Sequence, residues 1–200
     1  MKLTEKLLGA LIIILMVTRL IVAFPYSSIA ITLSMLLLTM LYFWFSFALL
    51  NNIRLRSVFK SDAYKGISGL RLTGTILTGF VLSSLIIYAL FKFQRWPYGN
   101  EGLLISLYGM AIVAVVASVK YFTTKHTFYN ELLTRLFLIG IVGTALYMTS
   151  YETLLEIQHR DHPDYVEAEK NSMRDPQNRE LQQKALEERQ KMDMDHRETD

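Results

Sequence analysis

Residues 72–119 decide the fold: they read LTGTILTGFVLSSLIIYALF at 72–91, KFQRWPYGNEG at 92–102 and LLISLYGMAIVAVVASV at 103–119. Both outer runs are apolar on every side, whereas a helix of a soluble protein keeps one polar face. A helix of about 20 apolar residues crosses the hydrocarbon layer of a bilayer, which is roughly 30 Å thick. The polar segment between the runs is only long enough for a turn. We therefore predict an antiparallel hairpin of two transmembrane helices.

Similar apolar runs cover most of the chain. We expect about five transmembrane helices, near residues 7–24, 29–50, 72–91, 103–119 and 136–151. They predict an all-α, polytopic membrane domain at residues 1–151, with its first helix ended by Pro25. Residues 152–200 are almost wholly polar and predict an extramembrane tail that is helical in part. Within the tail, Asp175 and Pro176 are typical of a helix start.

Basic residues set the predicted orientation. Lysine and arginine collect in the loop at 51–71 and again at 120–135, while the connection at 25–28 carries no charge. Because cytoplasmic loops are enriched in these residues, we expect a cytoplasmic N-terminus and an outside position for the turn at Trp96. Five crossings place the tail in the periplasm, whereas a fifth run that only re-enters keeps it inside. The loop at 51–71 also predicts an amphipathic segment on the bilayer surface.

Composition argues against several function classes. The formal net charge of +3 comes mainly from loop residues that membrane topology explains, so no nucleic-acid partner is expected. The chain has no cysteine, which excludes disulfides and thiolate chemistry. No carboxylate lies between Glu5 and Asp62, or in the third to fifth runs before Glu152. Proton and cation pathways usually need a titratable group at membrane depth, so an ion-driven pump is disfavoured.

Sequence motifs of catalysis are missing as well. The chain has no phosphate-binding glycine loop, no dinucleotide-binding pattern, no complete serine nucleophile elbow and no zinc-protease helix motif. Glu152, Glu156 and His159 share one helix face, but a carboxylate-bridged metal site needs matching ligands from other helices, and a second such unit is lacking. We interpret these three residues as a solvated helix exit. The prediction is a non-enzyme with no catalytic residues, no cofactor and no metal.

Arg19 is the one charged residue well inside an apolar run. An arginine at the bilayer centre costs about 2.5–3.5 kcal/mol on insertion scales, and less near the interface. Since Arg19 lies about one turn from the end of its run, its guanidinium can reach the outer head groups. The alternative is an ion pair inside the bundle, with Glu101 on the same side of the membrane. Helical spacing does not choose between them.

The turn of the hairpin is the most distinctive local motif. Tryptophan sits at head-group level in membrane proteins, and lysine and arginine side chains reach lipid phosphates. Proline and glycine turn the chain. The predicted partners here are membrane lipids, and the candidate interface or lipid-anchoring residues of the whole chain are Arg19, Lys92, Arg95, Trp96, Pro97 and Gly99.

This turn also resembles a known family. It carries ALFK at 89–92 and RWP at 95–97, followed by Gly99. Over residues 75–119 the chain resembles the transmembrane hairpin of GldL-like proteins, which are membrane components of the gliding-motility and type IX secretion machinery of Bacteroidetes. The family pattern reads Phe-Lys-x-x-His-Trp-Pro-Gly, so Arg95 stands at the histidine position and Tyr98 is an extra residue.

The resemblance implies an origin in the bacterial inner membrane more than it implies a motor function. Lys92, Trp96 and Pro97 match the family's positions. The family carries a glutamate in the second helix of the hairpin, whereas this chain has Met110 and Ala111 there. The proton-coupling role of the family is therefore not expected.

Three functions remain open. The first is a non-enzymatic membrane component that forms homo-oligomers or packs against other membrane subunits through small residues: Gly74, Gly79, Ser83 and Gly109. The second is a small transporter or channel, with a polar lining from Thr73, Thr75, Thr78, Ser83, Ser84, Ser106 and Tyr108. The third is a membrane enzyme that acts on lipids, for which only residues 152–162 offer clustered acids and histidines.

Overall fold

The computed structural model describes residues 2–22 and 26–198, with side chains up to Met194. Within these residues the chain is all-α and contains no strand, which confirms the predicted fold class. The helices are α1 Lys2–Ile21, α2 Ser27–Leu50, α3 Gly69–Phe93, α4 Gly99–Thr124, α5 Thr127–Met148, α6 Tyr151–Gln158, α7 Pro163–Arg174 and α8 Arg179–Glu198. Two short 3-10 turns lie in the loop before α3, at Leu55–Ser57 and Ser61–Tyr64.

Four of the described helices, α2 to α5, are long and apolar enough to cross a membrane. The first helix, predicted to span residues 7–24, is not among them because its charged residues Lys2, Glu5, Lys6 and Arg19 dilute its apolar run. Its predicted last residues, and the end at Pro25, lie outside the described residues. α1 nevertheless runs the length of the bundle, since Glu5 contacts α5 at one end and the Ile21 carbonyl accepts a hydrogen bond from Arg160 at the other.

The bundle alternates in direction and centres on α3. α3 packs against α2, α4 and α5, whereas α1 packs along α2 and touches α6. Leu82, Leu85, Leu90 and Phe93 of α3 are completely buried. In a membrane, close packing between the helices stabilises such a buried stripe, because the lipid that surrounds the bundle is as apolar as the side chains themselves.

The small residues predicted to contact partner subunits are largely used inside the chain. Gly79 faces α2 so closely that a Cβ added there would lie 2.7 Å from the Tyr42 carbonyl oxygen. Ser83 is buried, and a Cβ at Gly109 would meet Val81 at 3.6 Å. Gly74 alone has open space around it, so three of the four positions serve intrachain helix packing.

The fifth helix is longer than predicted. α5 begins at Thr127 instead of residue 136, because the His126 ring nitrogen caps it by accepting from the Phe128 amide at 3.1 Å. It runs alongside α3 and α4 and ends beside the hairpin turn, where the Asn100 amide donates to the Tyr151 hydroxyl at 3.1 Å. The helix therefore traverses the bundle, and the tail lies at the same end as the hairpin turn.

The tail is a folded appendage of three helices. The Ser150 hydroxyl caps α6 by accepting from the Thr153 amide at 3.0 Å, which separates α6 from α5. α8 does not begin at Asp175 and Pro176 as predicted but at Arg179, because the Asn178 side chain accepts from the first-turn amides. A residue with a short side-chain acceptor is favoured at this position.

The loop at 51–68 is not one amphipathic helix. Ile53 and Val58 turn inward and pack on Ala48 of α2, while Leu55 and Phe59 point away from the chain, with Phe59 97% exposed. These exposed apolar side chains lie beside four basic residues of the loop, Arg54, Arg56, Lys60 and Lys65. This combination is typical of a segment that lies on a bilayer surface.

Candidate functional site: a cleft between the first and fifth helices

A cavity of about 720 Å³ lies inside the bundle between α1, α2, α3 and α5. It exists because α1 packs along α2, whereas α5 packs along α4 and α3, which leaves a gap between α1 and α5. We call this gap the cleft. Its apolar wall is formed by Ile12, Met16, Met35, Leu38, Ile139 and Val142.

The cleft runs along most of the length of α1. Its lining on α1 extends from Lys2 to Met16. At 1.5 Å per residue this stretch measures about 21 Å, which is about two-thirds of a hydrocarbon layer of roughly 30 Å. On α3 the lining reaches Ala89, close to the end of that helix at Phe93. The cleft therefore starts at one end of the bundle and stops short of the other.

The open end carries a buried charge cluster that joins three helices. Arg135 of α5 donates from Nε and Nη2 to the two carboxylate oxygens of Glu5 of α1, at 2.7 and 3.1 Å. The Tyr42 hydroxyl of α2 donates to the same carboxylate. Both charged side chains are only 12–13% exposed. A bidentate, charge-assisted pair is strong, and the additional hydrogen bond from Tyr42 offsets part of the cost of desolvating the two charges.

A more exposed group of polar residues surrounds this cluster. Lys2 Nζ lies 2.8 Å from the Glu131 carboxylate, which also lies 4.0 Å from Arg135 and 3.5 Å from the Asn52 amide. Lys6 lines the cleft, and the described residues offer its ammonium no ion pair. Three cations (Lys2, Lys6 and Arg135) therefore face two carboxylates at the mouth, which leaves one positive charge in excess.

Sequence reasoning missed this site. It assigned no partner to Glu5 and placed Arg135 in the loop at 120–135. The scarcity of carboxylates in the first 150 residues was the one signal that pointed to the site. A carboxylate next to a transmembrane helix is expected to pair with a cation. The pairing itself depends on which helices become neighbours.

The hairpin turn and the tail meet at the end of the bundle opposite the mouth of the cleft, which we call the outer end because the sequence predicts that it faces outside. Lys92 does not reach head groups but is 2% exposed, donates to the Asn100 side chain at 2.9 Å and lies 4.0 Å from the centroid of the Tyr151 ring. Burial raises the pKa of the Tyr151 phenol, which keeps it a neutral partner. The Gln158 side chain donates to the Phe93 carbonyl at 2.9 Å. These contacts dock α6 onto the turn.

The other turn residues divide between packing and exposure. Trp96 is 40% exposed and packs edge-on against Phe91, with ring centroids 5.1 Å apart. Pro97 is exposed. Gly99 permits the tight return of the chain, because a Cβ there would lie 2.7 Å from the Lys92 backbone nitrogen. An indole at a helix end beside an exposed proline suits an interfacial position.

Arg19 and Arg95 come together at this outer end. Arg19 Nη1 donates to the Ser27 hydroxyl at 2.5 Å, and among the described residues it has no ion pair with Glu101. Arg95 Nη2 lies 3.0 Å from His159 Nε2. The Ser28 hydroxyl donates to the Gln94 side chain at 3.2 Å, which holds the start of α2, where Arg19 is bound, beside the turn that carries Arg95.

The acids of the tail are used in its packing. Glu156 forms an ion pair with Lys170, and Glu152 lies 3.8 Å from Arg174. His159 meets Arg95 and packs edge-on against Tyr165. Among the residues with described side chains, no three histidine or acidic groups converge as metal ligands would. The stretch at 152–162 therefore joins α6 to α7 and to the hairpin turn. His196 lies outside the described side chains.

Most of the hydroxyl groups considered for a channel lining are hydrogen-bonded within their own helices. Thr75, Thr78, Ser83 and Ser106 each donate to a carbonyl three or four residues earlier in the same helix. Tyr108 is 66% exposed on the outer face of α4. Thr73 is also exposed, and Ser84 is half-buried.

Comparison with known proteins found no relative of this chain. No protein-family model matches the chain, and neither a curated protein nor a solved structure matches it.

Proposed function

We propose that this protein is a non-enzymatic integral membrane protein that holds a membrane amphiphile in the cleft between α1 and α5. The observation that carries the proposal is the combination of an apolar cavity, which stops short of the far end of the bundle, with a cationic mouth at its open end. An amphiphile has the same two parts, an apolar chain and a polar head group. Cavities of about 300–1,000 Å³ are typical of sites for small ligands.

The size of the cleft favours a lipid-like chain over a partner helix. A transmembrane helix has to cross the whole hydrocarbon layer of roughly 30 Å. The cleft covers only the part of α1 from Lys2 to Met16, about 21 Å, and stops short of the far end of the bundle. A partner helix would therefore have to leave the cleft before it had crossed, whereas a hydrocarbon chain that enters from one leaflet does not have to cross.

The charge at the mouth favours an anionic head group. Glu5 already accepts three hydrogen bonds from Arg135 and Tyr42, and Glu131 is paired with Lys2. The ammonium group of Lys6 remains at the mouth without such a partner among the described residues. A phosphate or carboxylate head group would complete the charge balance there.

The proposed location is the inner membrane of a bacterium. Support comes from the basic loops at the end of the bundle that carries the mouth, and from the resemblance of the hairpin to GldL-like proteins. This orientation gives a cytoplasmic N-terminus, a periplasmic tail and a ligand drawn from the cytoplasmic leaflet. A role as a subunit of a larger assembly has less support, because Gly79, Ser83 and Gly109 are used within the chain.

Filling the cleft tests the proposal directly. Gly9 lines the cleft, and a Cβ added there has nothing within 4 Å. In Gly9→Trp the indole would occupy the space proposed for the hydrocarbon chain. Gly74→Trp is the matched control, because Gly74 is also helical with open space around it but lies outside the cleft. Both variants and the wild type are reconstituted with phosphatidylglycerol that carries a photoreactive diazirine in its acyl chain.

We expect cross-links on α1 and α5 peptides in the wild type and in Gly74→Trp, and a loss of about tenfold in Gly9→Trp. Equal labelling of all three proteins would reject the amphiphile site. A cross-link to a second polypeptide in the cleft would also reject it and would indicate a partner helix instead.

A further inference from the structure

The second candidate site lies at the opposite end of the bundle from the mouth of the cleft. Arg19 comes from the last turn of α1, and Arg95 comes from the turn between α3 and α4. They are brought to the same place by their neighbours, because Arg19 donates to Ser27 and the Ser28 hydroxyl donates to the side chain of Gln94, the residue before Arg95, at 3.2 Å. No carboxylate among the described residues forms an ion pair with either of them. Ala23, Phe24 and Pro25 in the adjoining connection carry no charge either.

Most hydrogen-bond donors of the two arginines lack acceptors. A guanidinium has five N–H donors, yet within the described residues Arg19 uses one on Ser27 and Arg95 uses one on His159. The Nε atoms of both arginines are buried and have no hydrogen-bond partner there. An unpaired buried donor on a charged group is costly, and two such groups side by side add repulsion.

An anion between the two arginines would remove both costs. We propose that Arg19 and Arg95 form a binding site for a phosphate group at the outer end of the bundle. Arginine matches phosphate because its planar fork donates two parallel hydrogen bonds. Two such forks, one from α1 and one from the hairpin turn, can donate more hydrogen bonds to one phosphate group than a single arginine that reaches toward head groups. This site does not depend on the cleft, since it involves other residues at the other end of the molecule.

Two sources of phosphate fit the position. One is the head group of a phospholipid in the outer leaflet, because Arg19 is within one turn of the end of α1. The other is a soluble phosphate compound. The test separates them by offering the purified full-length protein phosphatidylglycerol, diacylglycerol with the same chains, or inorganic phosphate. Gly9→Trp serves as the background, so that binding in the cleft does not contribute.

Native mass spectrometry and the shift of the thermal unfolding temperature report binding. Arg19→Gln/Arg95→Gln removes both charges, and Arg54→Gln/Arg56→Gln is the matched control, because these two arginines are exposed at the other end of the bundle. The unfolding temperature without ligand shows whether each variant is folded. Arg19→Lys/Arg95→Lys keeps the charge but loses the fork.

We expect phosphatidylglycerol to bind more tightly than diacylglycerol, with affinity reduced about tenfold in the double glutamine variant and unchanged in the control. The double lysine variant should fall between them. Binding of inorganic phosphate with the same dependence on the two arginines supports the site and assigns a soluble source. Equal binding by both double glutamine variants, or no preference for a phosphate-bearing ligand, would overturn the proposal.

Discussion

The two ends of the bundle treat buried charge in opposite ways. At the mouth of the cleft, Arg135 meets Glu5 in a bidentate pair, and Tyr42 completes the carboxylate's hydrogen bonds. At the outer end, Arg19 and Arg95 approach each other with no carboxylate beside them among the described residues. The first arrangement is complete within the chain, whereas the second requires something from outside it. The paired Arg135 therefore stabilises the fold, whereas the unpaired Arg19 and Arg95 indicate a binding site for a ligand.

The largest effect is expected from breaking the completed pair. Arg135→Leu leaves the Glu5 carboxylate buried beside an apolar side chain, and losing one member of a buried pair costs about 3–5 kcal/mol of folding stability. Reversible unfolding in mixed detergent micelles measures this change. Glu5→Leu/Arg135→Leu should recover much of the loss, because no unpaired charge remains. If the double variant were as unstable as the single one, the pair would not be the cause.

A smaller effect should follow from removing only the third member of the cluster. Tyr42→Phe deletes the hydroxyl that donates to Glu5, and a hydrogen bond to a charged group contributes about 1.5–3 kcal/mol. Tyr147→Phe is the control, because this half-buried tyrosine has no hydrogen bond among the described contacts. The same unfolding measurement should show a loss for Tyr42→Phe alone. Equal stabilities would mean that the tyrosine only fills space.

The smallest effect is expected at the outer end. Arg19→Gln removes one of two repelling charges but also the hydrogen bond to Ser27. These effects have opposite signs, so in detergent without phospholipid the stability should change by no more than about 0.5 kcal/mol. Unfolding in a non-ionic detergent, before and after lipid is added, gives the comparison. A large loss without lipid would contradict the contrast between the two ends, because it would show that the fold already satisfies Arg19.

Local patterns were enough for much of the architecture. Apolar runs predicted α2, α3 and α4, and the hairpin turn fell where the polar segment at 92–102 placed it, since burial in lipid demands long helices whatever their neighbours. The ends of helices were predicted less well. α5 starts nine residues earlier than expected and α8 starts at Arg179, because caps from His126 and Asn178 set those boundaries.

The sequence by itself determined that this is an all-α membrane protein with a polar tail, because the apolar runs and the absence of polar faces depend only on the order of residues along the chain. Tertiary structure decided the site. Glu5 and Arg135 are 130 residues apart and meet only because α1 and α5 flank the same gap. Arg19 and Arg95 likewise meet only after the helices assemble. Charge pairing acts over a few ångströms, and such distances between remote residues are set by helix packing.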